Sequence, residues 1–175
     1  MTNDEKIRDS WRKNASPWIK TIKDEQIESR RLVTNQAIID TLCTLPQCRI
    51  LDIGCGEGWL IRELSSRGYF VTGIDATAEL IEKAKALKSA QYHVLTYEGL
   101  SPSTLSERYD AAVCNFSLLG KDSVIHVFNT LPQILNEGGY FVIQTLHPCF
   151  SGGDAPYTDG WREGSWEGFS NDFIE

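Results

Sequence analysis

The sequence predicts a parallel, doubly wound α/β domain, and three observations carry that expectation. An apolar run over residues 50–53 stops at three alternating glycines, Gly54, Gly56 and Gly58, beyond which Leu60, Ile61 and Leu64 recur at helical spacing. That is strand, tight turn, helix. Strand-like and helix-like segments then alternate, the pattern of a parallel sheet with right-handed crossovers and helices on both faces. Residues 140–146 form a near-continuous apolar run, as expected of a strand covered on both sides.

The elements follow in chain order. Residues 4–18 are polar except for Ile7, Trp11 and Trp18, and Pro17 is expected to interrupt any helix there. Over residues 27–45, Ile27, Leu32, Val33, Ile38, Ile39, Leu42 and Leu45 make a broad helical stripe, closed by Pro46. Arg30 and Arg31 lie near its start. After the first strand and glycine turn, a helix over residues 57–67 ends at Gly68, a good residue for the position just past a helix. Residues 70–74 read as the second strand, ending in Asp75. Thr77 then caps a helix with Leu80, Ile81, Ala84 and Leu87 inward and Glu82, Lys83, Lys85 and Lys88 outward. A short third strand over residues 91–96 leads to Tyr97 and Glu98. Residues 109–115 read as a buried fourth strand, 116–120 as a loop, 123–135 as a helix tolerating Pro132, and 136–139 as a turn before the fifth strand.

With 175 residues and 41% hydrophobic content, the chain is expected to form one domain with a core of its own. A net charge of −7 disfavours nucleic acid and anionic membrane surfaces as partners. The five cysteines, Cys43, Cys48, Cys55, Cys114 and Cys149, form no C-x-x-C pair, and several fall in expected core elements, which suits a reducing cytoplasm. No H-E-x-x-H or other metal-ligand spacing is present, so no metal is expected. No apolar stretch approaches the roughly 20 residues of a membrane span.

The glycine turn narrows the ligand. A dinucleotide fingerprint reads G-x-G-x-x-G, leaving room for a pyrophosphate, whereas here Asp52-Ile53-Gly54-Cys55-Gly56-Glu57-Gly58 reads D-x-G-x-G-x-G. A carboxylate beside the turn suits a ligand carrying positive charge. This motif resembles the first motif of the class I S-adenosylmethionine-dependent methyltransferases, and the second strand ending in Asp75 resembles the place where that family puts the acid for the ribose diol. The resemblance runs from about residue 26 to about residue 148. It implies a Rossmann-like, mostly parallel sheet of order 3-2-1-4-5 with strands 6 and 7 missing. It also implies that Gly54, Cys55, Gly56 and Gly58 hold the methionine part of the cofactor, and that Asp52 meets its ammonium group, directly or through water. Asp75 and Ala76 would take the ribose, Tyr97 and Glu98 the adenine side, Asn115 and Phe116 the sulfonium, and Arg30 or Arg31, with Arg31 the choice, the carboxylate. Residues 1–22 would be an arm or a lid, and 23–148 the cofactor-binding core.

After His147 and Pro148 the chain turns glycine-rich, aromatic and acidic, with Trp161, Trp166 and Phe169 and no legible strand pair. Residues 149–175 are therefore read as a loop of a C-terminally truncated domain, and the fifth strand's open edge as a place for homodimerisation. The expected activity is methyl transfer from S-adenosylmethionine to a small-molecule O-, N- or C-nucleophile, releasing S-adenosylhomocysteine. In-line displacement needs mainly proximity, with His147 as the general base if the acceptor is a hydroxyl. Asn115-Phe116-Ser117-Leu118 stands where amino-methylating nucleic-acid enzymes carry N-P-P-[YF], which favours a small acceptor. The rival readings are a non-catalytic adenosylmethionine-binding module and a nicotinamide-dependent oxidoreductase.

Overall fold

The computed structural model describes residues 1–87, 90–147, 166 and 169–174. Five parallel strands form the sheet: β1 (Arg49–Ile53), β2 (Phe70–Asp75), β3 (Gln91–Val94), β4 (Tyr109–Asn115) and β5 (Leu135–Gln144), in the order β3-β2-β1-β4-β5. This is the expected doubly wound order. β1 is central, with Asp52 level with Gly73 of β2 on one side and Val113 of β4 on the other.

Helices cover both faces because the strand residues alternate. Ile50, Val71, Ala111 and Val113 face α3 (Asn35–Cys43), α4 (Trp59–Ser66) and α5 (Ala78–Leu87), which contribute Ile38, Leu42, Leu60, Leu64 and Ile81 to one core. Leu51, Ile53, Ile74, Ala112 and Cys114 face the other way, onto Val127, Leu131 and Ile134 of α6 (Asp122–Ile134) and onto Leu100 and Leu105. α4 closes as its sequence predicts. Gly68, at φ +91°, donates its amide to Ser65 and Tyr69 donates to Leu64, so the last carbonyls of the helix are satisfied.

Five expectations are corrected. The N-terminal segment is two helices, α1 (Asn3–Lys13) and α2 (Ala15–Lys23), with the break at Asn14. Pro17 interrupts neither, because it lies in the first turn of α2, where a missing N–H has no intrahelical partner to lose. Thr2 and Glu5 form a reciprocal capping box on α1, a signal the S/T-x-x-E spacing carried and the reading above missed. The stripe over residues 27–45 is not one α-helix: residues 30–34 widen into a π turn, which rotates Leu32 and Val33 into solvent. The expected turn at 136–139 is part of β5, which reaches back to Leu135 opposite Tyr109 through a register shift. β5 is also not covered on both faces, for Tyr140 and Ile143 are exposed, and β4 is its only strand partner among the described residues. Leu87, expected inward on α5, is half-exposed at the helix end.

Lys88 and Cys149 lie outside the described residues, as does most of the 149–175 loop, Trp161 included. The described part of that loop packs on the N-terminal helices. Trp166 sits edge-on to Trp11, with ring centroids 5.1 Å apart, and Asn14 exchanges two hydrogen bonds with the backbone of Ile174, at 2.8 and 2.6 Å. Among the described residues, no helix is long and apolar enough to cross a membrane.

Candidate cofactor site

The site is built at the carboxyl ends of β1, β2 and β4, where the strand order switches. The turn after β1 is pinned from behind: the amides of Gly54 and Cys55 both donate to the carbonyl of Ile74, at 2.8 and 2.9 Å. Gly54 has φ +77°, and a Cβ there would stand 2.4 Å from Cβ of Ser117. Only glycine fits. Gly56, at φ +57°, is different, since a Cβ there would meet nothing within 4 Å. The backbone of the turn is thus locked on its sheet side and bare on its crevice side, which is a cradle for a ligand.

Asp75 ends β2 with its two oxygens already directed. One accepts from the amide of Gly56 at 2.9 Å and the other from the amide of Thr77 at 2.8 Å, so the carboxylate ties the glycine turn to the start of α5. Burial raises its pKa, with these two bonds opposing. Each oxygen keeps a lone pair for a ligand hydroxyl. Across the crevice, the hydroxyl of Tyr97 donates to the carbonyl of Ser117 at 2.6 Å, and Ser117 Oγ donates to the carbonyl of Ile53 at 2.6 Å. These bonds join the ends of β1 and β4 to the short 3₁₀ turn Tyr97–Gly99. Phe116 holds φ +54°, a left-handed conformation uncommon for an aromatic residue, and its amide donates to Gln144 at 2.7 Å.

The open crevice encloses about 980 Å³, counting the space it shares with solvent. Gly54, Cys55, Gly56, Asp75, Ala76, Tyr97, Glu98, Asn115 and Phe116 all line it, so most of the residues singled out from the sequence converge. α1 and α2 line it as well, through Asp4, Ile7, Arg8, Trp11 and Trp18. Asp4 fixes α1 in place by accepting from the amides of Lys121 and Ser123, at 3.1 and 2.8 Å, thereby capping α6 from a distant segment. Arg8 pairs with Glu98 at 2.5 Å.

Four expected site residues do not line the crevice. Gly58 packs inward, towards Tyr92 and Ala84, and starts α4. Arg31 points away, exposed, with Glu28 at 3.9 Å; its neighbour Arg30 lines the crevice instead, stacked over the rings of Trp18 and Trp59 at 5.8 and 5.0 Å. Burial lowers the pKa of Arg30, and its Nη2 is buried with no partner among the described residues. Glu57 lines the crevice too; one oxygen bonds Arg62 at 2.5 Å, while Oε1 is buried and unpartnered among the described residues. His147 is exposed beyond the end of β5, outside the crevice.

Asp52 lies beneath the turn, only 2% exposed. Burial, with Asp75 and Glu57 beside it, raises its carboxyl from the ordinary 3.8 to about 8. The sign of the consequence follows: a carboxyl whose folded pKa lies above its unfolded one favours folding at low pH and costs stability progressively as pH rises from about 4 through about 8. Asp52→Asn, which mimics the protonated form, is therefore expected to match wild type near pH 4 and to melt several degrees higher at pH 8.5, at about 2–4 °C per kcal/mol in a chain of this size. Thermal melts of both proteins across that range check this; a difference that shrinks as pH rises contradicts it. Cys55 and Cys114 stay thiols, since burial raises the first well above its ordinary value and pushes the second up to about 12.

A sequence model of the family described as "Methyltransferase domain" matches residues 8–171. The chain belongs to the class I S-adenosylmethionine-dependent methyltransferases. Over 104 residues it is 32% identical to a ubiquinone biosynthesis O-methyltransferase of Alkalilimnicola ehrlichii, covering 57% of this chain and 42% of the relative. Over 113 residues it is 29% identical to the Burkholderia thailandensis protein of the same description, covering 62% and 49%. The chain thus spans about half the length of the curated relatives it matches. An S-adenosylmethionine-dependent methyltransferase structure from Mesorhizobium loti superposes with a TM-score of 0.57 at 29% identity, covering 65% of this chain and 55% of that one. A TehB-like methyltransferase from Corynebacterium glutamicum, at 22% identity and a TM-score of 0.61 over 74% and 71% of the two chains, shares the fold. The cofactor of this family is S-adenosylmethionine, and the chemistry of the site fits it: a bare glycine turn, a carboxylate with directed lone pairs at the end of β2, and further acidic groups beside the turn.

Proposed function

We propose that this domain transfers the methyl group of S-adenosylmethionine to a small-molecule acceptor. The observation that carries the reading is the pair of opposite, unsatisfied groups flanking the glycine cradle, Arg30 Nη2 and Glu57 Oε1. A buried polar group without a partner costs about 1–3 kcal/mol, and the zwitterionic amino-acid end of the cofactor supplies a carboxylate for one and an ammonium for the other. Asp75 takes the ribose hydroxyls, and Tyr97 and Glu98 bound the adenine side. Asn115 and Phe116, at the end of β4, stand by the reacting methyl group. α1, fixed by Asp4 and Arg8, is the lid over the cofactor.

Bound S-adenosylmethionine supplies an electrophilic methyl group. The chain's own contribution is to hold the acceptor in line and to exclude water, and Ile7, Trp11, Trp18, Trp59 and Phe116 give the crevice apolar walls for that purpose. No histidine lines the crevice, which favours an acceptor acidic enough to react without a strong base, such as a phenol or quinol. The match to ubiquinone O-methyltransferases supports the same class. Among the described residues β5 has a strand neighbour on one side alone, and that edge supports pairing with a second copy of the chain; a strictly monomeric mass by light scattering contradicts it.

Arg30→Met keeps an unbranched chain between the two indoles and removes the charge. It is expected to weaken S-adenosylhomocysteine binding about tenfold or more, as for a charge-assisted bond of about 1.5–3 kcal/mol, and Arg31→Met to leave it unchanged. Equal effects at the two positions contradict the assignment. The activity itself is tested by following S-adenosylhomocysteine release with a panel of phenols, quinols and amines. Acceptor-dependent release is expected; cofactor binding without release from any of them favours a non-catalytic binding module.

A further inference from the structure

A second cavity lies on the other side of the wall formed by Arg30, Glu57 and Trp59, all three of which line both spaces. It encloses about 990 Å³, again counting space open to solvent. Five of the chain's 17 lysines and arginines face it: Lys23, Arg30, Arg31, Arg62 and Lys83. For a protein of net charge −7 this is a concentration of the opposite sign. The carboxylates on its wall cancel only part of it: Glu57 neutralises Arg62 and Glu63 is drawn off by Arg67 at 2.6 Å, which leaves Lys23, Arg30, Arg31 and Lys83 against Glu25. Lys23 and Lys83 have no ion-pair partner among the described residues, and the contact of Arg31 with Glu28 is long and exposed at 3.9 Å.

Two successive arginines share this cavity: Arg30 and Arg31 stand at the start of the widened turn over residues 30–34 and both line its wall. Ile19, Ile22, Ile27 and Leu87 supply apolar lining, and a cleft with low-dielectric walls and one sign of charge focuses field on its contents. Guanidinium forks and ammonium groups arranged in this way recognise phosphate or carboxylate oxygens.

We propose that this cavity is a second binding site, for a small polyanion of the phosphate or polycarboxylate class, and that its occupancy weakens cofactor binding through the shared Arg30. The coupling rests on the cofactor reading above, since an anion drawing on the Arg30 guanidinium competes with the cofactor's carboxylate for it. The site itself does not rest on that reading. Calorimetric titration with inorganic pyrophosphate and with citrate, at ionic strength matched by sodium chloride, tests both parts. At least one probe is expected to bind wild type, and the Lys23→Ala/Lys83→Ala protein to bind it about tenfold more weakly while keeping its affinity for S-adenosylhomocysteine. With the probe saturating, wild type is expected to bind S-adenosylhomocysteine several-fold more weakly. No binding of either probe, or equal binding by the double variant, overturns the site. Binding that leaves S-adenosylhomocysteine affinity unchanged overturns the coupling. Failure of S-adenosylhomocysteine to bind without any anion is a separate result, which strikes the cofactor reading alone.

Discussion

Asp75→Ala is expected to weaken S-adenosylhomocysteine binding tenfold to a hundredfold, the loss of one charge-assisted contact worth about 1.5–3 kcal/mol. The structure adds a reason beyond the proposed ribose contact. The same carboxylate holds the amide of Gly56 at one end and that of Thr77 at the other, so its removal also leaves two amides unpaired and loosens the glycine turn against α5. Asp75→Asn separates these roles. Its amide oxygen keeps one acceptor and loses the charge, so an intermediate loss of affinity is expected. Calorimetry of the three proteins, with melting temperatures alongside, makes the comparison; unchanged affinity in Asp75→Ala removes Asp75 from the site.

Gly54→Ala is expected to be the most damaging single substitution in the turn. A Cβ at φ +77° costs about 1–3 kcal/mol in backbone strain, and this one also stands 2.4 Å from Ser117 Cβ and 2.9 Å from the Tyr97 hydroxyl. Ser117 cannot yield freely because its Oγ is bonded to Ile53, nor Tyr97 because its hydroxyl is bonded to Ser117. Overpacking of this kind costs about 1–3 kcal/mol more. The variant is expected to lose cofactor binding and about 2–6 kcal/mol of stability by denaturant titration, the sum of those two costs. Gly56→Ala meets only the strain, since no atom lies within 4 Å of its Cβ, and is expected to fold with a smaller stability loss. Equal destabilisation by the two substitutions contradicts the geometry of the turn.

The sheet was legible because its central strands are buried on both faces. β1, β2 and β4 read as mostly apolar segments, and the glycine turn and Asp75 mark the ends of β1 and β2. The peripheral elements were harder, each for a physical reason. The choice between Arg30 and Arg31 depends on a π turn, which shifts the helical phase by a residue and leaves no trace in apolar spacing. Phe116 adopts a left-handed conformation that nothing in its side chain favours. The depth of Asp52 follows from strands pairing on both sides of it, while its position at the edge of the motif read as exposure to the ligand. His147 looked like a crevice residue because it follows β5, but the sheet ends at Gln144 and the chain has left the site by residue 147. The N-terminal segment was half-legible: the tryptophans were noted, whereas Asp4 and Arg8 act through partners more than 80 residues away, at Ser123 and Glu98, which no local pattern reveals.

Calorimetric titration of the purified chain with S-adenosylmethionine, S-adenosylhomocysteine and NADH bears most directly on the cofactor site. Binding of the two adenosyl compounds with a stoichiometry of one, and none of NADH, is the expected result. Binding of NADH in their place, or of none of the three, contradicts the assignment of the glycine turn and Asp75 as an S-adenosylmethionine site.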